Sequence, residues 1–446
     1  MTLRLLRTAL SVLAVTSLVS ACGESQLPVA TGKADVRGLN AIVGFPDVNF
    51  LIEERQVGTV SYKDAAAATY DDLSYTFNFE LPLPSDPPAR IASRTVDVIR
   101  DTDYILALTG DVNAQQVTLW QRPLREWTGS ETVFDLMIGH VNGTLGAVDV
   151  YIGPGGTAPV AGNAAGTVEF RAQTDPREYD AGEYQVTLTP AGDPTTILYR
   201  SAPTTLPASQ SYVLTVFEAD PGINGPVSVR ILTNGGVSTE LPDERFPATI
   251  QFLNASIDTG AVDVAIDADY TDLAVSNLAY GDFSTDVEVP TTANYQYAPT
   301  GTTMAVLDDD RTVTLGTTSL QILAGDETDI VALQAPGFRR GFSTVGRVRV
   351  TNTVTALSNV DVYILEAGTS IADRFPSLFN FPYGFNQVLD QAPDDYEITI
   401  TEPGGDVPLA GPEPLTLDTF DVFEIVLLDS AEPDTVDILV FSNIEP

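Results

Sequence analysis

Apolar and polar residues alternate along this chain in short runs, and one such run occurs four times. It reads Val48-Asn49-Phe50-Leu51-Ile52, Val148-Asp149-Val150-Tyr151-Ile152, Val262-Asp263-Val264-Ala265-Ile266 and Val360-Asp361-Val362-Tyr363-Ile364. The first, third and fifth residues are apolar in every copy, the two-residue period of a strand with one buried face. Nine positions before each second residue stands an amide or imidazole: Asn40, His140, Asn254 and Asn352. These recur after 100, 114 and 98 residues, the size of one small β domain. The pattern predicts one domain type repeated in tandem.

Each copy opens with an alternating strand: Val36 in the first, Leu136 and Ile138 in the second, Ile250 and Phe252 in the third, Val348 and Val350 in the fourth. The same parity turns Asn40, His140, Asn254 and Asn352 inward at the strand's end. A tyrosine later leads another alternating run, at Tyr75, Tyr184, Tyr295 and Tyr396. A third anchor pairs an apolar residue with a strand start six positions on: Val98 and Tyr104, Leu206 and Tyr212, Val313 and Ser319, Leu417 and Phe423. Leu206-Pro-Ala-Ser-Gln-Ser-Tyr212 resembles the tyrosine corner of immunoglobulin-like sandwiches. With about seven short strands per copy and no helical period, the expected fold is all-β: four tandem immunoglobulin-like β-sandwich domains. Their bounds fall at 35–128, 132–236, 246–335 and 345–446. Only Asp64 to Ala68 and Thr369 to Leu378 leave room for a helical turn. The connecting stretches Gln121 to Ser130, Asn234 to Pro247 and Ala335 to Gly346 each hold Arg and turn formers. Short linkers favour an elongated rod, with pairwise packing the alternative.

The amino terminus breaks the pattern. Arg4 and Arg7 precede an apolar run from Ala9 to Val19 that is too short to span a bilayer, so residues 1–21 read as an export signal. Val19-Ser20-Ala21-Cys22 resembles the bacterial lipobox. That resemblance implies a lipid on Cys22, followed by a polar tether to residue 34. Gly23 follows the cysteine in place of Asp, which directs such a chain to the outer membrane. The expected location is therefore the bacterial cell envelope, reached by export and held by the lipid anchor.

Charge and composition narrow the chemistry. A net charge of −39 repels nucleic acid and anionic lipid, so neither is expected as a partner. The chain has one Cys and one His, which excludes a disulfide framework and any Cys or Cys/His zinc site. A Ser-His-Asp triad has only His140 to use.

With these anchors in place, the copies resemble the bacterial domain of unknown function numbered 4397. That family shows an early strand ending in Asn or His, a Val-Asp-Val-Tyr strand and a Tyr-x-Val strand. The second and fourth copies carry the resemblance best, through His140, Asp149, Tyr151 and Tyr184 and through Asn352, Asp361, Tyr363 and Tyr396. The first has Asn49 and Leu51 in place of Asp and Tyr, and the third has Ala265 in place of Tyr. The resemblance implies an exported immunoglobulin-like domain, often in tandem, with no established activity.

Each candidate site has a simple structural account. The inward amides and His140 are suited to satisfying turn backbone groups, a task open to Asn and neutral His alike. Asp149, Asp263 and Asp361 face away from the buried Val and Ile, and a hydrogen bond to a neighbouring loop explains them. Asp267, Asp269 and Asp272 form a speculative calcium site, and Asp308, Asp309 and Asp310 a second acidic cluster, both without the spacing of an EF-hand loop. No other cofactor is expected. Two carboxylates can hydrolyse a glycoside without His, which keeps a glycan hydrolase as the weakest alternative. The leading expectation is a non-catalytic surface adhesion or ligand-binding module with an unidentified protein or glycan ligand. A periplasm-facing structural or assembly factor of the envelope is the alternative.

Overall fold

The computed structural model describes residues 29–83, 87–372, 374–432 and 434–443. Cys22 and residues 1–21, the stretch read as an export signal, lie outside the described residues. Apart from one short 3-10 turn at Ile257–Thr259, the named elements are all strands. The first stretch of chain forms β1 (Lys33–Asn40), β2 (Val48–Ile52), β3 (Arg55–Val60), β4 (Ala65–Asp71), β5 (Ser74–Leu81), β6 (Ala89–Asp97), β7 (Thr102–Asp111) and β8 (Ala114–Pro123). One sheet runs β4-β1-β7-β8 and the other β3-β2-β5-β6. Val36, Leu106 and Leu108 of the first sheet meet Phe50, Phe77 and Phe79 of the second in one core, which makes the pair a sandwich. The run from Asp64 to Ala68 lies mostly in β4, and the other run with room for a helical turn ends at the strand Leu378–Pro382.

The same order recurs in three further stretches, each with two sheets and a core of its own. The first, third and fourth stretches have eight strands each and the second has ten, where the spacing suggests seven. The sandwich class stands, and each sheet of the first, third and fourth stretches holds four strands, against the four and three of a constant-type immunoglobulin domain. Here β1 pairs in parallel with β7 at the centre of its sheet, and the equivalent pairs are also parallel. Sequence alternation marks strands well and says little about which neighbour each one takes.

The sheets containing these parallel pairs are buried on both faces. Their inner residues fill the unit's own core, and the alternate residues pack against another unit. Leu39, Ile105, Ala107 and Trp120 meet Met137, Val213, Phe217 and Leu232 of the second unit. Leu253, Leu320 and Ile322 of the third meet Val426 and Leu428 of the fourth. Buried arginines cross both interfaces. Arg37 binds Asp103 on its own sheet and donates to the Thr233 carbonyl at 2.8 Å. Arg349 pairs with Glu424 and donates to the Pro336 carbonyl at 2.6 Å.

The chain thus packs its sandwiches in pairs, and the connecting stretches are built into the structure. The strand Ser238–Leu241, in the second connection, adds a fifth strand to the second unit's sheet beyond residue 236. In the third, Phe338 and Phe342 are buried beneath arginines, with the Arg347 guanidinium 3.9 Å from the Phe342 ring centre. This last connection also returns to the first unit, where Ser343 N–H donates to the Gly44 carbonyl at 2.8 Å. Asn224, on a loop of the second unit, donates to the Pro247 carbonyl at the edge of the third.

Candidate functional site

The four inward residues are fully buried and share one geometry. Each side chain accepts the backbone N–H two residues on and donates to a carbonyl of the following loop, of a later strand, or of both. Asn254 Oδ1 accepts from Ser256 at 3.1 Å, while its Nδ2 reaches the Gly260 and Leu278 carbonyls at 2.7 and 3.1 Å. Asn352 accepts from Val354 and donates to the Phe381 carbonyl, both at 3.0 Å. Asn40 contacts Ile42, Pro46 and Val60 in the same way. In the second unit His140 Nδ1 accepts from Asn142 N–H at 3.2 Å and Nε2 faces the Gly146 carbonyl at 3.1 Å. Those partners require the neutral ring with its proton on Nε2. Burial lowers the His140 pKa below the ordinary 6.5, against the opposing effect of its backbone hydrogen bonds. Both nitrogens of the chain's one imidazole are therefore engaged by backbone.

The carboxylates of Asp149, Asp263 and Asp361 are also buried, although they lie on the outer side of their sheets. Each clamps a neighbouring strand and a hairpin glycine. Asp263 accepts from Asn277 N–H at 2.8 Å and Gly301 N–H at 2.9 Å; Asp361 accepts from Asn380 at 2.6 Å and Gly404 at 2.8 Å. Asp149 takes the Thr167 hydroxyl at 2.5 Å and Gly192 N–H at 2.8 Å. The three glycines have φ of 81°, 78° and 72°, a conformation that costs glycine nothing. Asn49 accepts from Gln56 and Thr59 side chains instead. None of these turn glycines stood out in the sequence as a partner of the aspartates. Asn277 and Asn380 were not singled out there, and they too hold positive φ, beside irregularities in strand register.

The tyrosine series divides. Tyr184 and Tyr396 each donate to a carbonyl four residues earlier, of Asp180 and Ala392, at 2.8 Å. Tyr75 packs edge-on against Tyr70. Tyr295 is fully buried and its hydroxyl has no partner among the described residues. In the first unit the Tyr104 hydroxyl accepts from Ile99 N–H at 3.0 Å.

The acidic clusters are tied up locally. Asp267 accepts from Asn294 N–H at 2.9 Å, and Asp269 takes the hydroxyl and amide of Thr271, hydrogen bonds that lower its pKa. Among the described residues no group of three or more His, Cys, Asp or Glu side chains stands together in a way that could hold a metal ion. Strand parity separates Asp309, which binds Arg311 at 2.6 Å, from the exposed Asp308 and Asp310.

A cleft of about 630 Å³ lies where the second unit meets the third, lined by Asp220, Arg311, Thr314, Ser319 and Gln334 among others. A smaller one of about 250 Å³ lies over Tyr151 and Gln185 on the outer sheet of the second unit. No helix among the described residues is long and apolar enough to cross a membrane.

No protein-family model matches the chain, and no curated protein matches it. Among solved structures it is similar to the Bacillus anthracis TIE protein at 10% identity, over 90% of this chain and 69% of that one, with a TM-score of 0.15.

Proposed function

We propose that this chain is a non-catalytic binding protein of the bacterial cell envelope, exported by its leader, anchored through Cys22 and composed of four sandwich domains. One observation supports the reading above others. The parallel-pair sheets are used up in packing sandwich against sandwich, which leaves each unit's second sheet and its loops toward solvent on a braced support. The strands Ala89–Asp97, Leu307–Thr312 and Pro408–Leu417 on those sheets are mostly exposed or half-buried. Rigid scaffolds carrying variable loops are suited to recognition. The polar residues that repeat most faithfully hold backbone in place, which leaves the variable loops and edges for a ligand.

Protease shaving of intact cells, followed by peptide identification, tests the display. Release of peptides from residues 374–432 is expected. Release only after the outer membrane is permeabilised would replace surface binding with a periplasmic structural or assembly role.

A further inference from the structure

The third unit lacks a ring that the other three have. On the strand that pairs in parallel with the first strand, Tyr104 stands opposite Val36, Tyr212 opposite Leu136 and Phe423 opposite Val348. The same register position in the third unit, opposite Ile250, is Ser319. Its side chain is 8% exposed, and its Oγ has no hydrogen-bond partner among the described residues. An unpaired buried hydroxyl costs free energy unless something else satisfies it. Ser319 lines the 630 Å³ cleft described above.

We propose that this cleft binds a neutral glycan, with a sugar ring occupying the place that an aromatic side chain fills in the other units. The proposal rests on the binding-protein reading and names its ligand class. The lining decides the chemistry. Arg311 is held in place by Asp309 at 2.6 Å and by the Ala332 carbonyl at 2.5 Å, so its guanidinium is oriented before a ligand arrives. Gln334 contributes an exposed amide and Asp220 a carboxylate that also pairs with Lys63 at 2.9 Å and accepts from Gly222 N–H at 3.0 Å, while the Ser319 hydroxyl is buried behind the lining. Donors and acceptors set close together match the vicinal hydroxyls of a sugar. An aromatic side chain from a protein partner would cover these polar groups without replacing their water. An anionic ligand would meet the net charge of −39. The linker backbone walls one side: Gly337 N–H donates to the Thr318 carbonyl at 2.8 Å, and a Cβ on Gly337 would lie 2.8 Å from that same oxygen.

The test uses the full chain with maltotriose, cellotriose and chitotriose as neutral probes and trigalacturonate as the acidic one, read by calorimetry. At least one neutral trisaccharide is expected to bind and trigalacturonate is not. S319Y restores the ring found in the first two units, and it is expected to fold normally and weaken binding at least tenfold. Q334A changes an exposed side chain and is expected to weaken binding severalfold, which keeps the test decisive if S319Y folds poorly. Absence of binding by all three neutral probes, or binding unchanged in both variants, overturns the cleft assignment. Shaving separates the two claims: a chain whose peptides are released from intact cells but which binds none of the neutral probes removes the cleft and leaves the display reading standing.

Discussion

His140 and the three asparagines in its place do the same work with different chemistry, so exchange among them measures what the position needs. Replacement by alanine leaves the Asn142 amide and the Gly146 carbonyl without their partner, and H140A is expected to cost about 1–3 kcal/mol in urea unfolding. H140N, which installs the residue of the other units, is expected to cost less than about 1 kcal/mol. The two variants also differ from the parent in pH response. The fold lowers the His140 pKa, so between that lowered value and 6.5 the unfolded chain binds a proton that the folded chain does not. Stability is therefore lost as pH falls through this window, and it is kept above 6.5. Unfolding measured at pH 7.5 and 5.5 is expected to show a larger loss in the parent than in H140N, and equal losses would remove the assignment of a neutral ring. The carboxylate clamp makes a parallel case. D361N is expected to destabilise by about 1.5–3 kcal/mol, because charge-assisted bonds to Asn380 and Gly404 are weakened together. Both positions were legible as repeats in the sequence. Their partners were less so, because the donors are backbone groups of any residue type.

At the scale of the strand, the sequence holds a signal that alternation alone misses. Tyr104 to Leu108 and Ser211 to Phe217 are nearly unbroken runs of buried residues, as is Thr318 to Ala324. Such runs indicate a strand covered on both faces. Taking every second residue finds the sandwich core and discards Ile105, Val213, Phe217 and Ile322, the residues that join one unit to the next. Some of the interface has no sequence signature at all. Gly139 lies under the Trp120 ring, and a Cβ added there would come within 2.3 Å of it. The indole also donates to the Arg171 carbonyl at 2.9 Å, which fixes the ring and leaves it little room to yield. G139A is expected to destabilise by about 1–3 kcal/mol and to red-shift tryptophan emission as the ring is displaced. An unchanged spectrum with full stability would mean that the interface is looser than this contact implies. Glycine one residue before the inward His reads in sequence as an ordinary strand residue, since its partner is 19 positions away in the preceding unit.

Across the whole molecule, the two apolar interfaces each hold a buried arginine–carboxylate pair. Asp103 accepts from both Arg37 and Arg122, with all three side chains at 1% exposure or less. Arg122 continues to the Tyr212 carbonyl at 2.9 Å in the second unit. Glu424 is the matching acceptor for Arg349 in the second pair. Removing one partner of a buried ion pair strands the other charge, at a cost of about 3–5 kcal/mol. The joint between pairs is polar by contrast, made by Asn224 with Pro247 and by Arg340 with the Phe45 carbonyl and the Tyr62 ring. Polar joints of this kind couple weakly. D103N is therefore expected to lower hydrogen-exchange protection in the strands Val133–His140 and Ser211–Glu218 while leaving Gly346–Asn352 and Val422–Asp429 protected. E424Q is expected to do the reverse. If each variant instead lowers protection in all four strands, unfolding spans the joint, and the contacts at Asn224 and Arg340 bind the two pairs into one cooperative body.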